Sequence, residues 1–515
     1  MRRKPLVNSD GKVETSQELI TLASAGRSLR ARVARSMFWI AWSRGALQVL
    51  YFATTLLVAR ILVPADYGVM ALAGIWTTSV GMLAEMGLGA AIIQFRDLDR
   101  REIDTCFWTT MILAIIGWAA LSLGASMIAE WFAVPRLADV LPVLGLVLPL
   151  TACCVVSDSL LRRRLALDRV SQAEVIGGAV TLPVILGCAL GGLGVWTLVV
   201  GALMAPAVRS AATFAFAPWR PGFHFGGERL KEMLHFSLST LGVRILWVLR
   251  ESADELIIGK ITGQVTLGLY TMAKELALLP GSKISTVINM LSAPMMAELQ
   301  TNIDAMRTAF YRALRLTAAI ALPTSAGIAL VADEMVAVLL GPKWLPSAPL
   351  LRLLCLYAAV RAIDVLLPPV LFARHRERFL FWYCLALLIV VPTAVLLGAL
   401  WQGAPGAVVI STPVYCAVMT IMARETLAEL KGSFSDLWSN TWPILAATAA
   451  MVAVVLLLRE IVLMGRPETP WVGLVLLSVS GAATYGAALF AVGSPVIGEG
   501  AEVAGWILRR RDADG

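Results

Sequence analysis

Apolar runs of about 20 residues recur along nearly the whole chain, each long enough to cross a bilayer core of about 30 Å as a helix. Nothing else in the sequence limits the fold as tightly. The chain has 515 residues, of which 58% are hydrophobic and 15% charged, and its mean hydropathy is +0.77. Soluble domains are about 45–50% apolar and about 25% charged. The fold class expected is therefore all-α, a polytopic membrane protein. Residues 1–35 are polar and basic, carry no cleavable-signal pattern, and precede a first apolar run at Ser36.

Fourteen spans are expected. The first six lie at roughly 36–58, 68–93, 105–128, 137–161, 170–190 and 194–217, and the next six at roughly 234–258, 265–291, 310–332, 350–371, 379–400 and 406–423. A last pair covers roughly 438–458 and 471–492. With a cytoplasmic N-terminus, the cytoplasmic segments hold most of the chain's 43 Lys and Arg, and the outer loops about six. The inner loops include Arg162-Arg163-Arg164 and Arg374-His375-Arg376, and Arg509-Arg510-Arg511 lie in the tail. One missed span would break this alternation, so both termini are expected on the cytoplasmic side of the membrane. The implied organisation is a basic segment 1–35, a first lobe 36–217, a linker 218–233 and a second lobe 234–423. Helices 13 and 14 follow in 424–492, and a cytoplasmic tail in 493–515.

The seven cysteines all lie in apolar segments, and their odd number argues against a disulfide framework. His224, His235 and His375 are scattered and offer no metal site. The net charge of +8 fits basic cytoplasmic loops better than nucleic-acid binding. No loop is long enough for a catalytic domain.

One pattern occurs twice, 200 residues apart. Arg44, Ala53, Leu56, Ile61, Gly68 and Ala73 recur as Arg244, Ala253, Leu256, Ile261, Gly268 and Ala273, and Arg60 is matched by Lys260. Both copies open a six-span block on the same side, so the halves read as parallel repeats about an axis along the membrane normal. In span one, Arg44, Gln48, Tyr51 and Thr55 share a helical face. Span seven has a heavier stripe of Arg244, Trp247, Arg250, Glu251 and Asp254, with Glu255 beside it. Such stripes turn from lipid toward a bundle interior or a wet cavity, and the two are expected to line a common space.

Further charges lie at depth: Glu85, Lys274, Glu275, Lys283, Arg352, Arg361 and Asp364. Each would cost roughly 2.5–3.5 kcal/mol facing mid-bilayer lipid. A purely structural reading competes for some of them. It pairs Arg250 with Asp254 (i, i+4) and Arg361 with Asp364 (i, i+3), and lets Arg352, Lys283 and Glu85 snorkel toward an interface. Pro280 beside Gly281, and Pro368-Pro369, are the candidate hinges.

No phosphate loop is present, since Gly281-Ser282-Lys283 lacks its preceding glycine. No H-E-x-x-H, G-x-S-x-G or Cys/His metal spacing appears. The expectation is a non-enzyme with no cofactor, and any uphill transport is expected to draw on an H+ or Na+ gradient.

The strings Leu57-Val58-Ala59-Arg60-Ile61-Leu62-Val63-Pro64-Ala65-Asp66-Tyr67-Gly68 and Met86-Gly87-Leu88-Gly89-Ala90-Ala91-Ile92-Ile93-Gln94 resemble a known family. So do Asp254-Glu255-Leu256-Ile257-Ile258-Gly259-Lys260 and Leu267-Gly268-Leu269-Tyr270. The family is the polysaccharide transporter (Wzx-type) flippases of the multidrug/oligosaccharidyl-lipid/polysaccharide exporter superfamily. The resemblance implies two six-helix lobes in a V, two extra C-terminal helices and alternating access. It also implies an undecaprenyl-diphosphate-linked oligosaccharide as cargo, an exopolysaccharide or lipopolysaccharide O-unit precursor.

Arginine binds phosphate oxygens bidentately, and Arg44 lies about eight residues into its helix, roughly 12 Å above the inner face. On this reading Arg44, Gln48, Tyr51, Arg244, Arg250, Lys274 and Arg361 are the cargo-binding candidates. Glu85, Asp254, Glu255 and Asp364 are the candidates for ion coupling. The expected partners are the lipid-linked glycan, inner-membrane lipids, and a polysaccharide polymerase with other assembly proteins; no nucleic acid is expected, and the chain is expected to act as a monomer. The alternatives are a multidrug antiporter of the same superfamily, a membrane glycan polymerase or ligase, and a lipid-scrambling or scaffold protein.

Overall fold

The computed structural model describes residues 45–499 except 46, 86, 96–97, 165, 218, 224–225, 227–229, 465–469, 494 and 497. At 230–245, 247, 283–294, 461–464 and 470 it describes the backbone alone. Among the described residues every regular element is helical. The first half contains α1 (Leu47–Ile61), α2 (Pro64–Glu85), α3 (Leu88–Gln94), α4 (Arg100–Phe132), α5 (Arg136–Leu144), α6 (Val147–Arg163), α7 (Leu167–Leu190) and α8 (Val195–Phe216). The second half contains α9 (Leu230–Glu298), α10 (Ile303–Leu330), α11 (Ala332–Leu339), a 3-10 turn (Pro342–Ser347), α12 (Ala348–Asp364), α13 (Leu367–Ala373) and α14 (Glu377–Glu429). Two more helices follow, α15 (Phe434–Met464) and α16 (Pro470–Ala491).

The described part of each expected apolar run falls on helix. The runs at 68–93, 137–161 and 350–371 are each split between two helices, α2/α3, α5/α6 and α12/α13. Gly87 makes the first split possible, because its φ of 69° is one that a side chain resists. Conversely, α9 and α14 each carry two runs. They fold back at Gly263 (φ 80°) and at Gln402-Gly403 (Gly403 φ 65°).

These turns identify the two ends of the bundle. Gly403 lies against Thr262, where a Cβ would sit 3.4 Å from its methyl, and a Cβ on Gly194 would sit 3.7 Å from the Asp66 carboxylate. The turns at 62–63, 191–194, 262–263 and 402–403 therefore share one end, the seam end. The loops before α4 and α9 meet at the other end, where Trp219 Nε1 donates to Asp104 at 3.0 Å and Trp108 Nε1 to the Gly222 carbonyl at 2.9 Å. There too, Arg374 and Arg376 pair with Glu429 at 3.1 and 2.6 Å. The chain alternates between ends, as the charge pattern requires.

The halves join where α2 packs along α9, and the join is reciprocal. A Cβ on Gly68 would collide with the Gln264 carbonyl, and one on Gly268 with the Pro64 carbonyl. Pro64 and Gln264, like Gly68 and Gly268, are 200 residues apart, so the sequence repeat is a repeat in space. Leu72 and Ala73 meet Ile258 and Leu267 in one cluster, all fully buried. Cations close the seam from both sides. Arg60, in the first half, donates to the Leu339 carbonyl at 3.0 Å and to that of Val338, at the C-terminus of α11. Lys260, in the second half, donates to the Trp131 carbonyl at the C-terminus of α4 and lies 5.2 Å from the Trp131 ring centre. Both cations sit at negative ends of helix dipoles. Trp344, fully buried, donates from Nε1 to the Ala59 carbonyl at 2.8 Å and meets the Tyr67 ring edge-on at 5.2 Å.

Helices α15 and α16 pair with each other and lie on α10 and α11. Ion pairs pin them: Arg459 to Asp333 at 2.8 Å and Glu334 at 3.4 Å, and Arg315 to Glu499, with Asn440 accepting from Arg315 as well. Arg352 pairs with Asp333 as well.

The proline expectations need adjustment. The backbone of α9 stays helical through Pro280-Gly281, its one non-helical residue being Gly263. Pro368 and Pro369 do not break a helix from within. They start α13, where the amide that proline lacks would have no intrahelical partner.

Candidate functional site

Among the described residues, the heavier stripe concentrates charge inside the apolar bundle. Arg250, Glu251, Asp254 and Glu255 fall on consecutive turns of the first arm of α9, and Lys274 faces them from the second arm. Arg361 comes from α12. Arg250 donates to Glu251 at 2.7 Å, and Arg361 donates to the other Glu251 oxygen at 2.6 Å and to Tyr357 Oη at 3.0 Å. Lys274 donates to Asp254 at 2.7 Å, to Glu255 at 2.9 Å and to the Glu251 carbonyl at 3.3 Å. Tyr270 donates to Asp254 at 2.6 Å. Asp364 accepts from Tyr383 at 3.1 Å and Tyr415 at 2.8 Å.

Three cations thus face three carboxylates, with Asp364 held separately by two phenols. The side-chain pairs expected within one helix, Arg250 with Asp254 and Arg361 with Asp364, are replaced by others. Lys274, on the second arm of α9, takes Asp254; Arg361, on α12, takes Glu251; Asp364 accepts from Tyr383 and Tyr415. Removing charges from water is repaid only when each is paired and hydrogen-bonded, and this network meets that condition with one exception. Asp254 Oδ1 is buried and has no hydrogen-bond partner among the described residues. The cavity beside it is about 50 Å3 and is lined by Asp254, Lys274, Arg361, Ser411 and Thr412 among others. It has room for a few waters and none for a glycan. In this conformation Arg250, Lys274 and Arg361 are occupied by protein carboxylates.

The first half holds the counterpart. Gln48 and Tyr51 of α1 line an open cavity of about 550 Å3 with Thr151 and Cys154 of α6, Glu174 and Gly178 of α7, and Arg209 of α8. These are spans one, four, five and six; the second-half cavity uses spans seven, ten, eleven and twelve, with span eight added. Among the described residues the two stripes line equivalent cavities, one in each half; Arg44, Arg244 and Trp247, on which the expectation of a common space also rests, have no described side chain. Glu85 lines a third cavity of about 280 Å3 with Thr77, Thr78 and Thr110, which meets the larger one at Thr151. Arg44 lies outside the described residues, and of Arg244 and Lys283 the backbone alone is described.

Sequence reasoning passed over several residues of these sites. Arg209 donates to Asp158 at 3.0 Å and lies 3.9 Å from Glu174, and Arg162 shares Asp158 at 2.7 Å. Tyr270, Tyr357, Tyr383 and Tyr415 supply the phenols of the second half. The signal for Arg209, Asp158 and Glu174 was present, because each is a charge inside an expected span. Among the described residues no cluster of His, Cys, Asp and Glu could hold a metal ion.

Residues 57–349 match the polysaccharide biosynthesis protein family. The chain belongs to this family. Its similarity to individual relatives is modest but long. It is 24% identical over 368 residues to the succinoglycan biosynthesis transport protein ExoT of Rhizobium meliloti, covering 72% of this chain and 74% of that one. It is 24% identical over 387 residues to the lipopolysaccharide biosynthesis protein WzxC of Escherichia coli, covering 74% and 77%. Among solved structures, the lipid II flippase MurJ in an inward closed conformation superposes with a TM-score of 0.70 at 10% identity, over 88% of this chain and 98% of that one. An inward-facing multidrug resistance MATE family transporter of the MOP superfamily gives 0.56 at 16% identity, over 75% and 95%. These likenesses establish the fold of this family member: an all-helical, multi-pass membrane transporter fold.

Proposed function

We propose that the protein flips a polyprenyl-diphosphate-linked oligosaccharide across the inner membrane, from the cytoplasmic to the periplasmic leaflet, by alternating access. Membership of a polysaccharide biosynthesis family, and relatives named for succinoglycan transport and lipopolysaccharide biosynthesis, support the cargo class. The observation that carries the mechanism is the paired network of Arg250, Glu251, Asp254, Glu255, Lys274 and Arg361 inside a membrane bundle. Ionisable residues at such depth are rare and mark ion or substrate pathways in membrane proteins. On the positive-inside pattern both termini are cytoplasmic and the seam end is periplasmic, so the structure is closed outward.

Coupling falls to the second half in this reading. A proton or Na+ arriving at Asp254 or Glu255 competes with Lys274 for the same oxygens. It would release Lys274 and loosen the contact between the two arms of α9. Arg44 and Arg244, the cations repeated at the start of spans one and seven, are the proposed diphosphate contacts. The energy source and the glycan belong to this proposal, as does action as a monomer.

A deletion strain tests it. Loss of surface polysaccharide with accumulation of lipid-linked precursor, both restored by the wild-type chain and not by the double variant Arg44→Ala, Arg244→Ala, is the expected result. Full export by a double variant that inserts normally would rule out the anion site.

A further inference from the structure

The geometry points to the first-half cavity as a sugar-binding subsite, built to take neutral polyol and not the diphosphate of the cargo. The inference deepens the reading above and rests on it. Four observations converge. The cavity, about 550 Å3, falls within the range of ligand pockets, about 300–1,000 Å3. Among the described residues its charge is balanced: the lining holds one cation and one carboxylate, Arg209 and Glu174, 3.9 Å apart, and Asp158, outside the lining, pairs with Arg209 at 3.0 Å. A diphosphate would gain no net positive charge there and would meet the Glu174 carboxylate in the lining.

The lining also offers donors and acceptors in mixture. Glu174 accepts, the Gln48 amide and the Tyr51 hydroxyl do both, and Arg209 donates. Arg209 Nε is a buried donor with no acceptor among the described residues. A buried donor left unpaired is costly, and a ligand hydroxyl would satisfy it. Finally, Tyr51 supplies an aromatic face. It packs on Gly178, where a Cβ would sit 3.3 Å from its hydroxyl and 2.7 Å from Leu47. Glycine at 178 therefore lets α1 approach α7 closely enough to bring the ring to the cavity. Sugars present apolar C–H faces with hydroxyl rims, and an aromatic ring beside paired polar groups is complementary to both.

The second-half cavity lacks the volume for such a ligand, at about 50 Å3. The halves would thus divide the work, with glycan held by the first and ion by the second.

The test is binding by the purified full-length protein in detergent. The probes are the free oligosaccharide repeat unit cut from the host's own surface polysaccharide, and inorganic diphosphate. Gln48→Ala with Tyr51→Ala should weaken oligosaccharide binding about tenfold or more and leave diphosphate binding unchanged. Glu174→Gln serves as a second variant that preserves shape. Oligosaccharide binding unchanged in both variants, or displaced by diphosphate, would overturn the subsite. The binding assay needs no transport, so a chain that binds glycan here yet fails to restore export would count against the flippase reading alone.

Discussion

Gly68 and Gly268 face each other across the joint between the halves, the Cβ that Gly268 lacks falling 3.0 Å from the Gly68 amide nitrogen and against the Pro64 carbonyl. Either residue with a side chain would force α2 and α9 apart. Overpacking of this kind costs about 1–3 kcal/mol or more. Gly268→Ala is expected to lower the melting temperature of the purified protein by several degrees, and Gly268→Leu by more. Gly486→Ala, at a site with open space around it, is the control and should leave the melting temperature unchanged.

The two seam cations cap helices belonging to the opposite half. Each such contact is worth about 0.3–1 kcal/mol. Lys260→Ala should raise amide hydrogen exchange at the end of α4, near Trp131. Arg60→Ala should do the same at the end of α11, near Leu340. The double variant should show both effects, with exchange near Glu429, at the other end, unaltered.

Lys274 is the sole bonded cation of both Asp254 and Glu255 among the described residues. Lys274→Met would leave two buried carboxylates opposed, a loss on the order of 3–5 kcal/mol. Adding Asp254→Asn and Glu255→Gln should recover much of that loss, because the uncompensated charges go with the lysine. Thermal unfolding of the single and triple variants decides the matter; equal destabilisation would mean that the pairs do not interact.

The acids should separate by role. Asp254→Asn with Glu255→Gln is expected to remove the ion dependence of glycan flipping in proteoliposomes. Asp364→Asn is expected to keep that dependence and to lose stability instead, since both of its oxygens already accept from tyrosines. An ion dependence that follows Asp364 and ignores Asp254 and Glu255 would reverse the assignment.

What the sequence reveals here divides along physical lines. The helical, membrane-spanning class, the alternation of ends and the 200-residue repeat follow from hydropathy and charge, which act on whole segments, and all three are visible among the described residues. Partner choice does not follow. Arg361 could reach Asp364 along its own helix, yet it bonds Glu251, because helix packing brings a better-placed carboxylate to it. The same packing decides where a stripe faces. Tyr51 and Asp254 lie on matching stripes, and each is turned into its own half by neighbours that no single-helix pattern contains. Arg209 was legible as a lone cation within span six. Its meaning needed Asp158 and Glu174, which lie on two other helices.

The glycine crossing sits very near one end of the bundle. Gly68 is one helical turn from Pro64, where α2 begins, while α2 and α3 run on for about 26 residues, roughly 39 Å, toward the other end. The joint is therefore the fulcrum of a very unequal lever. A tilt of about 10° would shift the near end by about 1 Å and the far end by about 7 Å. The two capped helix ends lie at the short arm, where travel is least, and the end that carries Trp219 and Glu429 lies at the long one.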